Sequence, residues 1–254
     1  MQQDNITAIV LAGERLNEKS KNNNFGPFTK ICNRYAIEYV LDALKHTNQI
    51  NRINLVANKD KQNTIFNAIQ INENIEFVEQ ESGPSLSTKK ALNGLRKPCL
   101  VTTGDHPLLT TNTVKLFLKN SVKENADITI GLVPHKLLLD NNILSNRTLY
   151  KFRDGNFCGA NLFLFRTDRT NHIFNIWNKI EKWRKRPWKI ISFFGVTYLA
   201  LYLLGIMKFE NAEKYLSKRT GLKIKFIEVT CFKAAIDLDS ERDYPLIKEI
   251  LGEH

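Results

Sequence analysis

At 254 residues, 43% of them apolar and 25% charged, the chain has the composition of a folded globular protein and excludes a disordered or collagen-like one. Its four cysteines, Cys32, Cys99, Cys158 and Cys231, lie 59 to 73 residues apart. That spacing excludes CxxC pairs, zinc knuckles and small disulfide frameworks, and reads as reduced thiols in a cytoplasmic protein. The net charge of +11 attracts polyanions, whether nucleotide phosphates, nucleic acid or an anionic membrane face.

The opening MQQDNITAIVLAG has no basic stretch before a long apolar core, so no secretory signal is expected. Ile6–Leu11 is a short β-branched run closed by Ala12-Gly13, the pattern of a buried strand ending in a tight loop. Apolar spacing predicts a helix over Arg34–Leu44, a strand over Ile53–Ala57, a helix over Gln62–Ile71 and a strand over Ile75–Val78. A turn at Gly83-Pro84 precedes a helix over Leu86–Leu95, and Cys99–Thr103 is a strand running into Gly104-Asp105-His106-Pro107. Thr113–Glu124 follows as a helix with Asn112 at its N-cap, then Ala126–Val133 as a strand. Beyond it come strands at Leu149–Phe152 and Asn161–Phe165, a long helical region, late strands at Lys225–Val229 and Ala234–Asp237, and a closing helix over Tyr244–Leu251.

Short apolar strands alternating with helices of about ten residues define βαβ units, hence an α/β fold with a mostly parallel, mixed central sheet flanked by helices. With no repeat or low-complexity linker, residues 1–254 form a single domain, carrying a helical basic and apolar insertion at about 170–222. Within that insertion, Ile190–Met207 runs 18 residues without a charge, long enough for a membrane span. It follows the stretch Lys179–Lys189, with six basic residues and one acidic. A solvated charged face is the plain reading of that stretch; Trp183, Trp188 and the lysines are also what a membrane interface attracts.

A strand ending in LAG, with basic residues soon after, suits a phosphate-binding loop, because glycine lets backbone amides approach phosphate oxygens. Neither GxxxxGK[ST] nor GxGxxG is present. Ile9–Lys30, IVLAGERLNEKSKNNNFGPFTK, resembles the LAGGxSxRMGxxK signature of GT-A-fold nucleotidyltransferases, the molybdenum-cofactor guanylyltransferase-like (MobA-like NTP transferase) family. Glu14 stands where the second glycine would be, Arg15 arrives early, and Lys30 closes a longer loop. Thr102–Thr110 (TTGDHPLLT) resembles the family's strand-end DxP motif, and Ala234–Tyr244 (AAIDLDSERDY) its late DIDTPEDL-type segment. Taken by itself, Asp105 also fits an Asp-x-Pro turn former.

The resemblance implies a Rossmann-like GT-A domain that moves a nucleoside monophosphate from an NTP to a phosphorylated small-molecule acceptor, releasing pyrophosphate. It implies Mg²⁺ or Mn²⁺ held by Asp105 and Asp237, and Arg15 and Lys30 on the leaving phosphates. Leu11, Ala12 and Gly13 would support the nucleotide, Gly83, Pro84 and Ser85 would line the base, and Asn161 would meet the acceptor, such as a sugar, polyol or lipid-precursor phosphate. Asp239 and Ser240 are read as caps of the last helix, and His106 is a further candidate base. A GT-A glycosyltransferase and a degenerate nucleotide-binding scaffold are the rival readings; nucleic acid is disfavoured for want of any recognisable motif. Asp105 and Asp237 flank the 190–207 segment in sequence. A span there would place them on opposite sides of a bilayer, so this scheme predicts a buried helical cap or peripheral docking at the inner membrane face.

Overall fold

The computed structural model describes residues 5–13, 25–62, 74–143, 147–183 and 195–252, with Lys189 and Phe193. Its centre is a sheet in the order β10-β7-β9-β6-β1-β4-β5, with β8 added on β9. The strands are β1 (Ile6–Leu11), β4 (Ile50–Ala57), β5 (Ile75–Glu79), β6 (Cys99–Thr103), β7 (Ile128–Pro134), β8 (Leu149–Phe152), β9 (Gly155–Phe165) and β10 (Ile224–Glu228). A small ribbon of β2 (Lys30–Ile31) and β3 (Arg34–Tyr35) stands apart from it. β5, β4, β1 and β6 run parallel, as do β7 and β10, while β9 is antiparallel to β6 and β7. The sheet is thus mixed and mostly parallel.

Helices cover both faces. They are α1 (Ala36–Lys45), α2 (Pro84–Leu92), α3 (Thr111–Lys123), α4 (His135–Asp140), α5 (Ile173–Trp183), α6 (Val196–Leu203), α7 (Phe209–Thr220) and α8 (Asp243–Gly252). Alternate side chains of the central strands feed the two layers between them. Ala8, Val10, Leu55 and Leu100 meet Ile37, Val40 and Leu41 of α1 and Phe117 of α3. Ile9, Val56 and Val101 meet Leu92 of α2 and Phe174 of α5 on the other face. Continuous apolar runs such as ITAIVL are the mark of strands buried on both sides.

Several elements differ from the sequence expectation. Arg34 and Tyr35 are extended, and the Tyr35 N–H donates to Glu38 Oε2 at 2.6 Å to start α1. Gly83-Pro84 is a helix start, with Pro84 in the first turn of α2, where its missing N–H costs nothing. Thr110, not Asn112, caps α3, its hydroxyl accepting from the Thr113 N–H at 3.2 Å. β9 extends six residues further toward the N-terminus than Asn161, because the β8–β9 hairpin pairs it back to Gly155. Ala234–Asp237 is no strand: Phe232–Ala235 forms a 3₁₀ turn that packs two alanines into the core. The helix expected over Gln62–Ile71 lies, beyond Gln62, outside the described residues. In 195–207 the apolar run yields only the eight-residue α6, ended by Gly205 at φ +67°. Among the described residues no helix is long and apolar enough to cross a membrane.

Candidate active site

β1 connects to β4 on one side, and the chain returns to place β6 on the other, so the carboxyl ends of β1 and β6 form the switch point where open α/β sheets bind ligands. The register pairs Leu11 with Thr103, which puts Ala12-Gly13 beside Gly104-Asp105. The Gly104 N–H donates to the Leu11 carbonyl at 2.9 Å, and the Ala12 N–H to that of Val56 at 2.8 Å. Ala12's amide is therefore engaged within the sheet, and the loop's amides toward a ligand begin at Gly13. A Cβ on Gly13 would come within 2.6 Å of Gln80 Oε1. A Cβ on Gly104 would lie 3.2 Å from the Pro27 side chain and 3.3 Å from that of Ala12. The segment leading to Lys30 is thus packed onto the same strand ends. Lys30 is exposed, its ammonium 5.2 Å from the centre of the Tyr35 ring. Arg15 lies outside the described residues.

Asp105 has one carboxylate oxygen, Oδ1, that is buried and without a hydrogen-bond partner among the described residues. Its main-chain carbonyl accepts from the Leu238 N–H at 2.8 Å, which brings the 236–239 segment alongside. Asp237 follows from this contact and becomes the hub of a network. The Asn161 side-chain amide lies 2.6 Å from His106 Nε2 and donates to Asp237 Oδ2 at 3.4 Å. His106 is 1% exposed, and its Nε2 is 3.9 Å from Asp237 Oδ2. Asn161 reaches this point through a bulge: Ile130 pairs with Phe163 but Leu132 with Gly159, so β9 carries two extra residues there. Asn161 itself sits at φ +48°, where asparagine is tolerated.

Arg147 was not singled out by the sequence, yet it holds Asp237. Its Nη1 donates to Asp237 Oδ1, while Nη2 donates to the Asp237 carbonyl at 2.9 Å and to Asp243 Oδ1 at 2.7 Å. Asp243 Oδ2 in turn accepts from the Ser240 N–H at 2.9 Å, the Ser240 hydroxyl at 2.8 Å and the Asp239 N–H at 3.2 Å. Asp243, the first residue of α8, thus ties the 239–240 turn to the start of that helix. Asp239 lines a cavity of about 590 Å³ together with Arg147, Asn161, Asp237, Arg242 and Asp243. Burial pushes the Asp239 carboxyl above its ordinary range, and the neighbouring Asp237 charge adds to the effect.

A strand-end carboxylate with a buried oxygen that lacks a partner among the described residues, on a segment hydrogen-bonded to the one that carries Asp237, is chemistry that suits a hard divalent cation. No cluster of three or more protein ligands is found among the described residues. Gly83, Pro84 and Ser85 open α2. The Ser85 hydroxyl is buried and donates to Glu181 of α5, and a Cβ on Gly83 would lie 3.3 Å from that same carboxylate. The Ser85 side chain thus ties α2 to α5.

A switch point with a small-residue loop, a strand-end aspartate and a second carboxylate defines a nucleotide-handling α/β domain. The chain belongs to the MobA-like NTP transferase domain family, whose model matches residues 8–148, more than half of its length. It is accordingly an enzyme of the nucleotidyltransferase class. It is similar to a hypothetical transferase from Thermus thermophilus, at 22% identity and TM-score 0.81 over 94% of this chain and 99% of that one. A 4-diphosphocytidyl-2C-methyl-D-erythritol synthase from Anaerococcus prevotii matches at 18% identity and TM-score 0.64, over 98% and 99% of the two chains. Rv0371c from Mycobacterium tuberculosis, solved with manganese, matches at 14% identity and TM-score 0.54 over 96% and 98%. These identities establish the fold. The bifunctional protein GlmU of Thermoanaerobacter pseudethanolicus is 27% identical over 129 residues, 49% of this chain. The chain matches only about a quarter of the length of the curated relatives.

Proposed function

We propose that this enzyme transfers a nucleoside monophosphate from an NTP to a phosphorylated small-molecule acceptor, with Mg²⁺ or Mn²⁺ bound by Asp105 and Asp237. The observation that carries the reading is the buried Oδ1 of Asp105 at the switch point, without a partner among the described residues, on a backbone hydrogen-bonded to the segment that carries Asp237. A buried, unpartnered carboxylate oxygen is destabilising unless a cation satisfies it. The cation supplies charge neutralisation at the triphosphate when bound. Asp105 and Asp237 hold it, and the fixed backbone of β6 sets their placement.

The remaining work falls to positioning, since phosphoryl transfer of this kind needs little covalent help from the protein. Gly13, with Leu11 and Ala12 packed behind it, offers backbone close to the triphosphate. Lys30 and Arg15 neutralise the departing pyrophosphate. Gly83 and Pro84 border the base at the α2 start, with the buried Ser85 supporting them through Glu181. Asn161 and Arg242 face the cavity of about 590 Å³, which has room for a small phosphorylated acceptor such as a sugar or polyol phosphate. The acceptor's phosphate oxygen attacks the α-phosphorus in line, a P–O bond forms there, and the bond to the β-phosphate oxygen breaks to release pyrophosphate. Arg147, by fixing both Asp237 and Asp243, keeps the metal carboxylate aimed; it is a positioning residue.

Pyrophosphate release measured with each of the four NTPs, a panel of sugar, polyol and lipid-precursor phosphates, and Mg²⁺, Mn²⁺ or EDTA tests this directly. Turnover with one NTP–acceptor pair that EDTA abolishes is the expected result. Metal-independent turnover, or hydrolysis of a sugar nucleotide in place of NTP consumption, would overturn it.

A further inference from the structure

We infer that α6 and the turn after it form a docking surface for an anionic lipid bilayer. Among the described residues nine large apolar side chains are exposed, and five of them, Val196, Tyr198, Leu203, Leu204 and Ile206, fall within eleven consecutive positions. Val196, Leu203 and Leu204 are each 70% exposed or more. With Ala200 they lie at helical spacing on one side of α6, and no residue of this helix is buried. A folded soluble domain rarely presents such a contiguous aliphatic face to water.

The helix is firmly seated even though this face is bare. Tyr198 stacks on Tyr215 with ring centres 3.6 Å apart, and Tyr202 meets Phe152 edge-on at 6.0 Å. The Arg153 N–H donates to the Met207 carbonyl at 2.8 Å, and the Met207 side chain is buried beneath the turn. The exposed leucines are therefore the outer face of an anchored element.

Charge selects the occupant. The groove under the turn, about 490 Å³, is lined by the cations Arg153, Lys208 and Lys218 and by the ion-paired Lys214, together with Leu201 and Ile206. Arg219 adds a further cation, 4.9 Å over the Phe193 ring. Of the acids nearby, Glu210 is offset by Lys214 at 2.7 Å and Glu213 by Lys225 at 2.7 Å, and Asp154, which accepts from the Phe209 N–H at 2.9 Å, is outnumbered by Arg153, Lys208, Lys218 and Arg219. An aliphatic ridge rimmed by cations matches a bilayer with anionic headgroups, the ridge entering the acyl boundary and the rim meeting the headgroups. A second copy of this chain fits poorly, because a two-fold contact through this face would set one basic rim against another in a protein of net charge +11. α6 packs on β8, whose Tyr150 also lines the cavity beside Asp237. Docking would therefore bring that cavity to the edge of the bilayer, within reach of a phosphate carried on a lipid.

Vesicle flotation tests the surface independently of any activity. Vesicles of phosphatidylcholine alone are compared with vesicles containing about 30% phosphatidylglycerol, at low salt and at about 0.5 M NaCl. The intact protein is expected to float with the anionic vesicles, and high salt to release it. Lys208→Glu with Lys218→Glu should weaken partitioning at least about 25-fold, since each cation near an anionic surface is worth about fivefold. Leu203→Ser with Leu204→Ser should weaken it about 100-fold, and because both leucines are exposed this variant keeps its melting temperature. Leu116→Ser, at an exposed apolar position elsewhere, should change nothing. No flotation with either vesicle, equal binding to neutral vesicles, or binding indifferent to the leucine pair overturns the inference. So does sedimentation showing a dimer that the leucine variant dissociates.

Discussion

Asp105→Asn separates function from stability at one oxygen atom. Asp105 Oδ1 is buried and accepts no hydrogen bond among the described residues. In the proposed scheme that oxygen is the one a bound cation would satisfy. Asparagine fills the same space with a neutral amide. Without metal the variant should therefore be as stable as the parent or more so, by up to about 1 kcal/mol, a rise of about 2–4 °C for a chain of this size. Catalysis should move the other way. Charge neutralisation by a bound cation is worth several kcal/mol in the transition state, and at 1.36 kcal/mol per decade about 4 kcal/mol is a loss of roughly a thousandfold in kcat/KM. The assay pairs pyrophosphate release with thermal melts, each with and without Mn²⁺ plus NTP. The metal–nucleotide pair should raise the melting temperature of the parent and leave that of Asp105→Asn unmoved. Near-parental turnover in the variant, or a melting temperature several degrees lower without metal, would refute the argument, the second by showing that Asp105 is a structural residue.

Lys30→Ala removes an exposed charge, so stability should stay within about 0.5 kcal/mol while the KM for NTP rises and kcat falls; unchanged nucleotide binding by calorimetry counts against its role. Asp237→Ala should be far more damaging to turnover than Asp239→Ala, and should also lower stability by about 1–3 kcal/mol, because Arg147 loses the carboxylate that meets its Nη1. If Asp239→Ala is instead the inactive variant, the roles of the two carboxylates are reversed. Asp127 offers a pH test. Burial opposes its charge, but the Thr167 hydroxyl, the Lys223 N–H and Arg169 outweigh that and hold its carboxyl below the ordinary range. A lowered carboxyl contributes stability above its unfolded value of about 3.9, and that stability is lost as pH falls through the folded value. Asp127→Asn should cost about 2 kcal/mol at pH 7, with the gap closing below about pH 4 in urea titrations; a gap that widens on acidification contradicts it.

What was legible in the sequence follows from how each feature is encoded. Strands buried on both faces appear as unbroken β-branched runs, so β1 and β6 were placed to the residue, and with them Asp105. Helix starts were misplaced by a residue or two because capping depends on which hydroxyl reaches an N–H, and Thr110 and Asn112 are alike in sequence. The uncharged run to Met207 satisfied a hydropathy window, but the left-handed Gly205 stops α6 after eight helical residues and one cap, a backbone feature that average hydropathy does not register. Ala234–Asp237 looked like a strand because small apolar residues fit a sheet and a 3₁₀ turn equally well. What separates the two is that β10 pairs with β7 over Ile224–Glu228, and the chain then turns under the sheet to reach Asp105.

Arg147 shows the limit more sharply. It sits in the polar run Asn146-Arg147-Thr148, with no periodicity and no motif, and nothing local separates it from the other 36 basic residues. Its role arises from three carboxylate and carbonyl oxygens supplied by residues 90 and more positions later. The neighbouring bulge in β9 works the same way: Asn161 lies in the legible CGAN stretch, but its reach to Asp237 depends on two residues looped out against Gly131. Gly131 permits that fold, since even a Cβ there would press to 3.2–3.3 Å on Leu162, Ala160 and Phe117. Asp105 and Asp237 were readable because each follows an apolar segment that anchors it. The groups that aim Asp237 belong to an antiparallel strand and a distant arginine, and only the assembled sheet brings them to the same end of β6.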